Sequence, residues 1–109
     1  GYDKMLVVMT RPEGYRKPST RRHEIEILQR LYARYPALVQ AVIDRPENYN
    51  RTVDELERLR SQGSVYLFRP ERMPIANGEL RYDRIVTAFE AGLAQARREL
   101  PAIEAFLAR

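Results

Sequence analysis

MLVVMTRPEGYRKP, residues Met5 to Pro18, joins an apolar run to a basic loop. Met5 to Met9 is too short for a typical helix and rich in β-branched valine, the pattern of a strand buried on both faces of a sheet. Thr10, Arg11 and Pro12 then stop it, because Pro12 has no backbone donor and holds Arg11 extended. The loop beyond carries Arg16, Lys17, Arg21 and Arg22 against the single acid Glu13. Ser64 to Pro70, SVYLFRP, repeats the design: a short apolar run closed by Arg69 and Pro70. Two strands that end alike, with helical periodicity between them, predict one parallel sheet.

The intervening and following segments read as helices. Ser19 or Thr20 can cap a helix carrying Ile25, Leu28, Leu31, Tyr32 and Tyr35, stopped by Pro36. Pro36 suits the first turn of a second helix that runs to Asp44. Pro46 then restarts the chain in a third helix burying Tyr49, Val53, Leu56 and Leu59, with Thr52 and Glu55 as an alternative capped start and Gly63 as its left-handed stop. Glu71 to Glu79 is irregular, with Pro74 and the turn pair Asn77-Gly78. A last helix starts near Tyr82 or Asp83, and Tyr82, Ile85, Val86, Phe89, Leu93, Ala96 and Leu100 form a stripe fit to lie across a sheet face. Pro101 kinks that helix or begins another, which carries Ile103, Phe106 and Leu107.

The predicted class is therefore α/β: a two-stranded parallel sheet, about residues 5–10 and 64–69, joined by a right-handed helical crossover and packed by four to five helices. A chain of 109 residues has room for a single domain, 1–109. Parallel sheets need cover on both faces, and two strands make a poor sheet, so the native sheet is expected to be larger than this chain supplies. The absence of an initiating Met suggests the same, a piece of something longer. Cys is absent, which removes disulfide and thiolate chemistry and favours a cytoplasmic setting. No apolar run is long enough to span a bilayer. Net charge is +4, with 19 basic and 15 acidic residues largely intermixed, as on an ordinary solvated surface.

Motifs for chemistry are missing. Neither G-x-S-x-G nor a glycine-rich phosphate loop occurs, and the only histidine, His23, stands among charged residues at a predicted helix start. Asp54, Glu55 and Glu57 lie beside Arg51, Arg58 and Arg60, where ion pairing within the helix accounts for them better than a metal does. No cofactor is expected. Asn50-Arg51-Thr52 matches a glycosylation sequon with nothing else to mark a secreted chain. The interleaved Arg, Lys and Tyr of Arg11 to Arg22 suit phosphate, but a plain solvated loop explains them better, and no nucleic acid is expected.

The order of elements resembles the C-terminal part of bacterial patatin-like phospholipases. The resemblance is carried by Thr10, Arg11 and Pro12; Gly14, Tyr15, Arg16 and Lys17; Tyr35 and Pro36; Arg45, Tyr49 and Asn50; and Gly63 through Pro70. Enzymes of that family cleave acyl esters in lipid metabolism with a Ser-Asp dyad, the aspartate followed by Gly. Here Asp3, Asp44, Asp54 and Asp83 all lack that glycine. The resemblance thus implies a parent serine hydrolase and a chain that is its non-catalytic end, partnered by the parent's N-terminal catalytic part. In a parallel sheet ligands bind beyond the carboxyl ends of the strands, so Arg11, Arg16, Lys17 and Arg69 are the candidate contacts for anionic lipid head groups at a membrane periphery. Glu13 and Glu71 are the structural alternative, as local partners of Arg11 and Arg69. An open strand edge would also permit a homo-oligomer. The competing class is a stand-alone basic module that binds acidic protein or nucleic acid through Arg11 to Arg22.

Overall fold

The computed structural model describes residues 2–72, 75–76 and 78–109. Its elements run β1 (Met5–Val8), α1 (Arg22–Leu31), α2 (Pro36–Ser61), β2 (Val65–Phe68) and α3 (Tyr82–Ala108). The class is α/β, and β1 and β2 pair in parallel with Met5 opposite Val65 and Val8 opposite Phe68. Met5 N–H also bonds Ser64 O at 3.0 Å and Met9 N–H bonds Phe68 O at 2.8 Å, which extends the ladder past both ends of β1. Of the expected turn segment, Pro74 and Asn77 lie outside the described residues.

The chain forms two compact units. One comprises Gly1–Tyr15 with Leu59–Arg109, the other Arg16–Arg58. In the first, Val65 and Phe106 are buried, and the Tyr66 ring lies 5.9 Å from that of Phe106 in a tilted arrangement. Lys4 Nζ donates to Phe106 O at 3.0 Å and to Arg109 O, placing a cation on carbonyls at the end of α3 that no helical amide can reach. In the second unit Val39 and Pro46 are buried, both on α2, with Ile25 and Leu28 of α1 half-buried.

Three helices, not four or five, are present among the described residues. The helices expected from Pro36 and from Pro46 are one, α2, with Pro46 inside it. Proline costs a helix interior about 3 kcal/mol through a lost hydrogen bond and a ring clash. Pro46 is buried, and removal of its apolar ring from water offsets part of that cost. Thr52 starts nothing. Its hydroxyl donates back to Asn48 O at 3.0 Å in mid-helix. Pro101 likewise stays inside α3.

Helix ends also differ from expectation. Neither Ser19 nor Thr20 caps α1; Arg21 is the N-cap, and Glu24 Oε2 accepts its backbone N–H at 3.4 Å. α1 stops at Leu31, ahead of Pro36, in a turn where Tyr35 N–H donates to Tyr32 O at 2.8 Å. Gly63 does close α2 as expected. It has φ +78°, its N–H bonds Arg60 O, and Ser64 N–H bonds Leu59 O, the paired bonds of a Schellman end.

Two burial expectations fail. β1 is not covered on both faces: Met5, Leu6 and Val8 are 44, 41 and 68% exposed. Its only described strand neighbour is β2. The α3 stripe is mostly exposed as well, including Tyr82, Ile85, Phe89, Leu93 and Leu100, whereas Gln95 and Phe106 are the buried side chains of that helix. The small residues Ala91 and Gly92, half-buried, share the covered side with Gln95, and small side chains let a helix approach its support closely.

Candidate functional site

β1 and β2 run in the same direction in register, so both finish at one end of the sheet. Arg69 directly follows β2, and Arg11 lies three residues past Val8. The Arg69 side chain is 11% exposed, and its guanidinium meets Glu13 Oε1 at 3.5 Å. Arg11 lies over the Tyr15 ring, Cζ 4.9 Å from its centroid, a cation–π contact. A turn from Pro12 to Tyr15, closed by Tyr15 N–H on Pro12 O and passing Gly14 at φ +82°, presents that ring. The local carboxylates are thus assigned otherwise than their spacing suggests: Glu13 serves Arg69, and Glu71 pairs with Arg98 of α3 at 2.5 Å.

Arg16 and Lys17 belong to the other unit, and both are engaged there. Arg16 forks onto Asp54 at 2.5 and 3.2 Å. The hydrogen bonds of that pair hold the Asp54 carboxyl below its usual range and raise the guanidinium above its own. Asp54 therefore reaches across to the loop, while Glu55 with Arg58 forms a pair of the expected kind within α2 and Arg51 pairs instead with Glu47, an acid outside the expected set. The Lys17 backbone is held at both polar groups by one side chain: its N–H donates to Asn50 Oδ1 at 2.8 Å and its C=O accepts from Asn50 Nδ2 at 3.0 Å. Its ammonium lies 5.6 Å from the Tyr49 ring centre. Asn50 and Tyr49 of the Arg45-Tyr49-Asn50 set thus pin the loop of Arg16 and Lys17 to α2.

A second polar centre escaped the sequence reading. Gln95, 5% exposed, accepts from Glu71 N–H at 3.0 Å and donates to Arg69 O and, at 2.7 Å, to Glu99 Oε2. Glu99 Oε1 accepts the Tyr66 hydroxyl at 2.8 Å. Burial first, then the Glu99 carboxylate, pushes the Tyr66 phenol above its ordinary range. Gln95 satisfies the backbone on either side of Pro70, which has no amide of its own. The available signal was a Gln and a Glu four apart on α3, next to Ala91, Gly92 and Ala96.

No group of three or more metal-ligating side chains occurs among the described residues, and no helix there is long and apolar enough to cross a membrane. Residues 35–108 match the model of a family described as a domain of unknown function, DUF6363. The chain belongs to that family. No curated protein and no solved structure matches. The DUF6363 match spans α2, β2 and α3 and begins at Tyr35, after β1 and the loop with Arg11, Arg16 and Lys17.

Proposed function

We propose that this chain is the non-catalytic C-terminal part of a patatin-like acyl-ester hydrolase, adding β1 and β2 to a larger sheet and presenting Arg11 and Arg69 to anionic head groups at the membrane periphery. The observation that supports it most is β1: an apolar strand, paired in parallel, with three of its four side chains open to water. Such a strand gains stability only when further chain covers it. The resemblance supplies the covering chain, the parent's catalytic half. The structural work of the resembling residues agrees with a supporting role, with Gly14 and Gly63 turning the chain and Tyr49 and Asn50 pinning the loop. A stand-alone basic module acting through Arg11 to Arg22 gains little support, because within that span Arg16 is paired with Asp54 and Arg22 with Glu26.

The test uses a serine-directed fluorophosphonate and p-nitrophenyl esters. This chain alone should neither be labelled nor turn over ester. The same chain extended by its upstream coding sequence should do both, with G-x-S-x-G and D-G-G or D-G-A in the added part. Labelling of this chain, or an upstream sequence without those motifs, refutes the reading. Replacing Arg11 and Arg69 together by alanine in the extended protein should weaken its binding to anionic vesicles at low salt; unchanged binding removes the head-group role.

A further inference from the structure

An open groove of about 780 Å³ runs through the unit of residues 16–58, between the start of α1, the middle of α2 and the loop that precedes α1. Its volume falls in the range of small-molecule sites, about 300–1,000 Å³. Ile27 and Leu28 of α1 and Val42 and Pro46 of α2 supply carbon to its lining. Among the described residues neither Arg21 nor Arg45, which also line it, makes an ion pair, in contrast to Arg16 and Arg51 nearby in sequence. The one acid of the lining, Glu24, directs Oε2 to the Arg21 backbone N–H. The loop wall is fixed, since Asn50 holds both backbone polar groups of Lys17.

We propose that this groove binds a single-chain amphiphile with a carboxylate head, a fatty acid, with the acyl chain on Ile27, Leu28, Val42 and Pro46 and the carboxylate taken by Arg21 and Arg45. Two unpaired guanidiniums beside an apolar lining complement one negative charge attached to a hydrocarbon chain. A peptide laid on the same carbon would leave its own amides without partners, which disfavours an acidic protein segment. The inference rests on the preceding reading only for the source of the ligand, an ester hydrolysis that releases a fatty carboxylate. The ligand's chemistry follows from the groove.

Calorimetric titration of this chain with sodium laurate below its micelle concentration tests it. Saturable binding to one site is expected. Dodecyltrimethylammonium, with the same chain and the opposite charge, should not bind, and neither should butyrate, which has the head without the chain. Arg45→Glu should weaken laurate binding by about tenfold or more. Ile27→Asp should do the same, and Ile27 is exposed enough for that variant to fold, which circular dichroism checks. Absent laurate binding, equal binding of the cationic amphiphile, or full binding by both variants overturns the proposal. Saturable binding of poly-glutamate in place of laurate overturns it in favour of an acidic protein partner. Laurate binding is read on this chain alone, so its outcome is separate from whether the extended protein hydrolyses esters.

Discussion

β1 and β2 share a sequence plan, a short apolar run closed by Arg-Pro, yet they have opposite fates. Val65 in β2 is 2% exposed, while its neighbour in register, Met5, is 44% exposed. β2 has Phe106 and the Gln95–Glu99 pair of α3 beside it, which contact Tyr66 and the Arg69 backbone. Among the described residues β2 is the only strand beside β1, and three of the four β1 side chains stay exposed. A run of valines and leucine therefore reports the burial a strand requires, and the supplier of that burial need not lie in the same chain. The difference marks where cover is lacking.

The sharpest way to break this contrast is to add a charge to each strand in turn. Val65→Asp should cost about 3 kcal/mol or more, because it places an unpaired carboxylate in the core, whereas Val8→Asp should stay within about 0.5 kcal/mol in dilute solution. Urea denaturation of both variants decides it. An equal loss at the two positions would mean that β1 is already covered, as in a self-associated chain. Sedimentation at high concentration is the companion measurement: oligomerisation through the β1 edge predicts a mass above the monomer that falls in Val8→Asp.

Next in size is the clamp that gives β2 its advantage. Gln95→Leu leaves the Glu71 N–H and the Arg69 carbonyl without their partner and should cost about 2 kcal/mol, while Tyr66→Phe, which removes one hydrogen bond to Glu99, should cost about 1 kcal/mol. The same bond predicts a pH effect. The folded Tyr66 phenol titrates above its ordinary value of about 10, so its contribution is complete below that pH. The contribution is then lost as pH rises toward the folded value, since the unfolded chain gives up the proton first. Alkaline unfolding curves should steepen in the parent chain relative to Tyr66→Phe; parallel curves would show that Glu99 does not hold the proton on Tyr66.

Gly63→Ala should cost about 1 kcal/mol, from the positive φ alone, because an added Cβ there meets no atom within 4 Å. The smallest effect belongs to the exposed Arg16–Asp54 pair. Asp54→Asn should leave the melting temperature nearly unchanged, and a large fall would show that the fork is what fixes the loop.

Much of the architecture was legible because it depends on local chemistry. Alternation of apolar runs with Arg-Pro endings located both strands, and Gly63 located the end of α2. Pro46 misled, because its cost to a helix is local and its compensation, burial of the ring, is tertiary. The α3 stripe misled for a related reason: periodicity finds an apolar face without saying whether this chain contains its partner. Gln95 was invisible, since a glutamine in a helix looks like solvated surface until the backbone around Pro70 is brought to it. Of the candidate cations, Arg11 and Arg69 follow strands that end together, whereas Arg16 and Lys17 belong to the other unit, where Asp54, Asn50 and Tyr49 engage them.

The parallel register sets the order in which the molecule can be assembled. Val65 lies sixty positions after its partner Met5, so β1 emerges during synthesis well before β2. Residues 16–58 make their contacts at shorter range and can condense first. The strand with the least cover in the finished chain is therefore also the one that waits longest for its neighbour.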